Sequence, residues 1–209
     1  MQISFQAKIP KAIPQKYLTK ESKDNTVAIM GSSKKTDKIL EYMDICANST
    51  RAIVKSGKNI VHGCGNAGIM GEAYVAGEIN SIKDNHGTPV QNLAIIANPL
   101  WGDEDLDNCV PLLSSNSEAE RIEGFSKVAN TFVIYPGSAT TLQEVTTLIA
   151  KNYYGKKENK KKIILVGSEF FKGLKEQYDE LYRSKLISCP PSELFTIVDS
   201  EEEIEANLI

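Results

Sequence analysis

The chain has 209 residues, 41% of them hydrophobic, with 24 Lys and Arg against 27 Asp and Glu and a formal net charge of −3. A chain of this length suits one domain with a substantial core. The slight acidic excess argues against a nucleic-acid partner, and no apolar run approaches the ~20 residues that cross a bilayer. Cys46, Cys64, Cys109 and Cys189 lie far apart with no C-x-x-C pair, and the polar N-terminus carries no signal-peptide core. Reduced thiols in a cytoplasm are therefore expected, with no cofactor and no metal site.

Residues 1–25, with Pro10, Pro14 and scattered Lys, predict an irregular or edge-strand arm, and residues 26–209 a single domain. Within it, short apolar runs predict strands at Val27 to Met30, Asn59 to Val61, Leu93 to Ala97, Thr131 to Tyr135, Ile163 to Val166 and Phe195 to Val198. Between them, helical spacing is clearest at 36–56, where Ile39, Met43, Cys46 and Ile53 recur, and further helices are expected at 69–80, 118–130, 141–154, 169–184 and 200–207. Strands alternating with helices predict an α/β fold, a parallel sheet covered on both faces, whose ligands bind beyond the carboxyl ends of the strands where strand order reverses.

Three loops fall at such ends. Gly31-Ser32-Ser33 follows the first strand and leaves N–H and hydroxyl donors free. Gly63-Cys64-Gly65-Asn66-Ala67-Gly68-Ile69-Met70-Gly71 follows the second, with four glycines in nine residues. Its G-x-G-x-x-G spacing opens the wrong turn for a dinucleotide fingerprint and lacks an acidic ribose ligand downstream, which argues against NAD or FAD. The third and most informative loop, Pro136-Gly-Ser-Ala-Thr-Thr-Leu-Gln-Glu144, joins a buried strand to a helix. The first N–H groups of that helix have no internal partner, so Gly137, Ser138, Ala139, Thr140 and Thr141 form a candidate anion site with Glu144 a turn inside.

Together the loops resemble the LOG family, Rossmann-like cytokinin riboside 5′-monophosphate phosphoribohydrolases also labelled "possible lysine decarboxylase". The family pattern is G-G-G-x-x-G-L-M-G after a strand, an Arg-Lys pair on a helix, and P-G-G-x-G-T-x-x-E. Here these stand as Gly63 to Gly71, Arg121, and Pro136 to Glu144, and Phe170-Phe171-x-x-Leu174 and Val198-Asp199-x-x-Glu202-Glu203 extend the likeness over about residues 26 to 208. The resemblance implies a doubly wound sheet, a homodimer, and a nucleoside 5′-monophosphate such as AMP as small-molecule partner. It also implies Glu144 and Arg121 as catalytic residues, and Gly31, Ser32, Gly65, Met70 and residues 137–141 as substrate and phosphate ligands. Cleavage of an N-glycosidic bond passes through an oxocarbenium-like sugar, which a carboxylate stabilises while it orients or deprotonates water. Arg121 would bind phosphate or polarise the departing base.

Four positions depart from the pattern. Cys64 and Ser138 replace second glycines, Thr140 replaces the glycine before Thr141, and Ile122 replaces the Lys. Ser138 keeps its N–H and adds a hydroxyl. A β-branched Thr140 is expected to strain the loop by about 1–2 kcal/mol if that position needs φ > 0. The altered Pro136 loop and the missing Lys favour a non-catalytic carrier of a nucleotide or phosphorylated cofactor, similar to the family's molybdenum-cofactor carriers; retained Arg121 and Glu144 favour the enzyme. Lysine decarboxylation is disfavoured, because pyridoxal chemistry needs a Schiff-base lysine and the ligand loops offer only the flanking Lys34 and Lys35.

Plainer readings stand beside these. Thr141-x-x-Glu144 matches a capping box, Arg121 sits among carboxylates as in a solvated ion pair, and Cys64 reads as a small buried residue. His62 reads as structural, His86 as solvated, Trp101 as packing, 102–107 as a solvated loop and Lys156 to Lys162 as an exposed turn. Leu148, Ile149, Tyr153 and Tyr154 are the expected dimer seam.

Overall fold

The computed structural model describes residues 10–77, 89–97 and 109–208; His86, Trp101 and the acidic run 102–107 lie outside them. Seven strands form one sheet: β1 (Thr26–Met30), β2 (Asn59–His62), β3 (Asn92–Ile96), β4 (Val110–Ser114), β5 (Thr131–Ile134), β6 (Lys162–Val166) and β7 (Thr196–Val198). Their order is β4-β3-β2-β1-β5-β6-β7, and every pairing is parallel. The chain steps outward from β1 to β4, returns beside β1 as β5, and continues to β7, so strand order reverses between β1 and β5. This is the doubly wound, Rossmann-like α/β architecture.

The strands read as unbroken apolar runs because both faces of the sheet are covered. Successive side chains point to opposite sides. Ala28, Met30, Phe132, Ile134, Ile163 and Leu165 thus enter one core, together with Phe125, Val145, Leu148 and Phe171. Val27, Ile29, Val133, Tyr135, Ile164 and Val166 enter the other, together with Ile39, Ile53, Ile69 and Ile204. The first layer holds α4 (Glu118–Val128), α5 (Ala139–Tyr154) and α6 (Ser168–Arg183). The second holds α2 (Asp37–Lys55), α3 (Gly68–Ala76) and α7 (Glu201–Ala206).

Several expectations change. The end of the arm is ordered: Gln15–Tyr17 forms a 3₁₀ turn and α1 (Lys20–Asp24) a short helix capped by Thr19, whose hydroxyl accepts from the Ser22 N–H. Tyr17 is buried, and its hydroxyl donates to Gln91 Oε1 at 2.9 Å, which ties this segment to the sheet. The strand β4 is not foreseen in the sequence, because Pro111 interrupts its run. It is tolerated at the sheet edge, where a ladder N–H is dispensable, and the register shifts beside it between Ala94 and Ile95. Leu148 and Ile149, expected at a dimer seam, are buried in the chain's own core, while Tyr154 is 85% exposed.

The tail pattern Val198 to Glu203 has a mechanical reason. Asp199 Oδ1 accepts the N–H of Ser168 at the start of α6, while on α7 the Ser200 hydroxyl accepts the Glu203 N–H and Glu203 Oε2 accepts the Asp199 N–H, a pairing close to a capping box.

Candidate functional site

The loops after β1 and β5 are joined where strand order reverses: the Ser32 N–H donates to the Pro136 carbonyl at 3.1 Å. Above them opens a cavity of about 260 Å³. Of the expected site residues, Gly31, Gly65, Met70, Arg121, Ser138, Thr140, Thr141 and Glu144 line it. Ser32, Gly137 and Ala139 are not among its lining residues. The Ser32 hydroxyl instead accepts the Lys34 N–H and donates to the Lys34 carbonyl, an ST-turn that shapes the loop. Ser33 and Gly63, members of the first and second ligand loops, line the cavity as well, whereas Glu118 and Phe125, with Ile29, Met30 and Ala97, were not singled out from the sequence. Glu118 and Phe125 lie three residues before and four after Arg121, on its helical face, and that spacing was the available signal.

Helix α5 begins with Ser138 as its N-cap, and the Leu142 N–H is the first to find an intrahelical carbonyl, that of Ser138. The Ser138 hydroxyl pairs with the Thr140 hydroxyl at 2.7 Å and makes no cap hydrogen bond, so the N–H groups of the first turn stay open toward the cavity. Thr141 is therefore the third helical residue, and the capping-box reading of Thr141 and Glu144 lapses. Thr140 has helical geometry, and the expected strain is absent there. It appears at Cys64 instead, with φ of 56°, beside Gly68 at 59°. Cys64 is fully buried, its sulfur 2.9 Å from that of Cys109, and none of the four cysteines forms a disulfide.

Thr140, Thr141 and Glu144 share one face of α5, and Glu144 is 5% exposed. Arg121 Nη1 lies 3.7 Å from Glu144 Oε1 and 3.6 Å from Glu118 Oε2, forming a row of carboxylate, guanidinium and carboxylate. The Arg121 side chain is 17% exposed and stacks over the Phe125 ring, 5.6 Å from its centroid, so it is no solvated surface cation. Burial pushes the Glu144 carboxyl up to about 7; Arg121 opposes the rise and Glu118 adds to it. Ile122, at the position of the family's Lys, is buried and does not line the cavity.

His62 is structural. Its Nδ1 accepts the Cys64 N–H at 3.0 Å, so Nε2 carries the proton and donates to Asn92 Oδ1 at 2.6 Å. Burial first, and Arg121 second, hold it down at about 4 against the Asn92 bond, and it stays neutral. The lysine run 156–162 lies before β6, at the opposite end of the strands from the cavity. Lys161 spends all three protons on Ser126 O, Ala129 O and Asn130 Oδ1, which leaves none for a phosphate. Among the described residues no lysine lines the cavity, so the Schiff base that pyridoxal chemistry requires has no candidate there.

The family model described as "possible lysine decarboxylase" matches residues 43–208. This chain belongs to that family. No curated protein matches it. Among solved structures it is similar to the molybdenum cofactor binding protein of Rippkaea orientalis, at 17% identity and a TM-score of 0.58, over 87% of this chain and 93% of that one. It is also similar to the molybdenum cofactor carrier protein of Chlamydomonas reinhardtii, at 13% identity and 0.56, over 87% and 93%. A third, the structural-genomics target TM1055, gives 14% identity and 0.62, over 87% and 96%. At these identities the likeness concerns the fold, which this possible lysine decarboxylase family member shares. No helix among the described residues is long and apolar enough to cross a membrane.

Proposed function

We propose that this protein is a nucleoside 5′-monophosphate phosphoribohydrolase, acting on an AMP-like substrate to release the free base and ribose 5-phosphate. The observation that carries the reading is the shared face of α5: an open helix N-terminus at Ser138 to Thr141, and the buried, Arg121-paired Glu144 further along it. From Ala139 to Glu144 is about 7–8 Å along the helix axis, a span on the order of one ribose 5-phosphate unit. Phosphate bound to the free N–H groups and positive dipole end would set the sugar beside the carboxylate.

Glu144 titrates near neutrality, so its ionised form takes a proton from water at a pH where the thermodynamic match is good, and its charge stabilises the oxocarbenium-like sugar. Arg121 does not serve as the phosphate ligand in this scheme, since Glu118 and Glu144 already offset its charge. It holds Glu144 in place and limits how far burial raises it.

A second reading, a carrier of a nucleotide or phosphorylated cofactor, is favoured by the likeness to the molybdenum cofactor proteins of Rippkaea orientalis and Chlamydomonas reinhardtii and by the altered loop at Ser138 and Thr140. One substitution separates the two. Glu144→Gln is expected to cut ribose 5-phosphate release at least ~100-fold, the loss of a general base, while AMP affinity stays similar. If the wild-type protein binds a panel of nucleoside monophosphates and frees no base from any, the enzyme reading fails and the carrier reading stands.

A further inference from the structure

The helix α4 needs two groups at its N-terminus and has both. The Ser117 hydroxyl accepts the Glu120 N–H at 3.2 Å, and Glu120 Oε2 accepts the N–H of Asn116, one residue before the N-cap, at 2.7 Å, a pairing close to a capping box. Glu118, the first residue of the helix, takes no part in it and lines the cavity instead. Its Oε2 is buried without a hydrogen-bond partner among the described residues, and so is Arg121 Nε beside it. The Arg121 Nη1 contact at 3.6 Å is an ion pair too long for a hydrogen bond. A buried acceptor and a buried donor left open each carry a desolvation cost unless groups from outside the chain answer them.

A hydroxyl is such a group, since it donates one proton and accepts another. Under the proposed reading the sugar lies beside Glu144, and Glu118 is joined to Glu144 through Arg121, so the hydroxyls that reach this row are those of the ribose. We infer that Glu118 is a specificity residue that accepts a hydrogen bond from the ribose 2′- or 3′-hydroxyl, making the site selective for ribonucleotides over deoxyribonucleotides. The inference rests on the proposed function for the placement of the sugar. It concerns binding, though, and is read independently of catalysis.

The experiment is calorimetric titration of the wild-type protein, Glu118→Ala and Glu118→Gln with AMP, 2′-deoxy-AMP and 3′-deoxy-AMP, with base release scored in parallel. Because Ser117 and Glu120 keep α4 capped, both variants fold, which a thermal melt verifies. The wild-type protein is expected to bind AMP about 10- to 100-fold more tightly than at least one deoxy analogue, the worth of a hydrogen bond to a charged group. Glu118→Ala brings that ratio to within about 3-fold, and Glu118→Gln, which still accepts, retains part of it. A wild-type protein indifferent to both hydroxyls overturns the inference, as does a ratio that survives in Glu118→Ala, as does failure of every nucleotide to bind. Selective binding without base release leaves the inference standing and sinks the enzyme reading; base release without selectivity does the reverse.

Discussion

Two glycines of the second ligand loop are fixed by different neighbours, and they respond differently to a methyl group. A Cβ at Gly63 would lie 2.0 Å from Arg121 Nη2, the tip of a flexible side chain that can move away. Gly63→Ala is therefore expected to fold with a melting temperature within a few degrees of wild type. Deprived of its guanidinium neighbour, Glu144 should titrate higher, so the rise of base release with pH moves above about 7. A pH–rate profile that does not move would show that Arg121 does not govern Glu144. At Gly68 the obstacles are the Lys34 and Ser32 carbonyl oxygens, each 2.7 Å from the added atom, and φ is +59°. Backbone cannot step aside as a side chain does, so Gly68→Ala should lose at least ~1–2 kcal/mol in urea unfolding. The G-x-G-x-x-G pattern thus serves two ends here: room for a functional arginine at one glycine, and a left-handed turn at another.

At the scale of elements, α5 carries the argument for anion binding, and its N-terminus is the place to test it. Ser138→Asp puts a carboxylate at the N-cap, where it stabilises the helix by satisfying first-turn N–H groups and repels an incoming phosphate. AMP affinity measured by calorimetry should fall by at least ~10-fold while thermal stability holds or rises; unchanged affinity would place the phosphate elsewhere. The start of this helix was only partly legible in the sequence. The apolar run Thr131 to Tyr135 and the small residues after it announced the strand-turn-helix unit, because burial on both sheet faces demands such a run. The capping pattern was ambiguous, since Thr141 and Ser138 are both good N-cap residues and only the backbone decides between them. Likewise β4 was hidden by Pro111, which reads as a strand breaker until the strand is known to lie at an edge. The face of Glu118, Arg121 and Phe125 obeyed helical spacing, yet among so many acidic neighbours nothing local marked Glu118 as turned inward. Leu148 and Ile149 were misjudged because an apolar face looks the same whether it meets a partner or its own sheet.

For the molecule as a whole, two buried groups shifted in opposite directions, Glu144 upward and His62 downward, shape the response to acid. Glu144 is raised from 4.5 to about 7, so its contribution to stability is fully present below about pH 4.5 and is lost as pH rises through about 7. His62 is lowered from 6.5 to about 4, so its contribution is present above about pH 6.5 and is lost as pH falls toward 4. The two slopes oppose each other over the window between about pH 4.5 and 6.5, each worth on the order of 3 kcal/mol across its full span. In the wild-type protein they largely cancel, and stability should vary little from pH 5 to 7 on their account. Glu144→Gln removes one slope and leaves the other. Its stability relative to wild type is expected to be about 3 kcal/mol more favourable at pH 8 than at pH 4.5, and its own curve to fall steeply on acidification as His62 is forced to take a proton. Urea unfolding of both proteins at pH 4.5, 6 and 8 measures the difference, and parallel curves would mean that Glu144 is solvated and carries its charge at little cost. That result would also remove the physical basis for a general base poised at neutral pH, which ties the stability of the fold to the chemistry proposed for it.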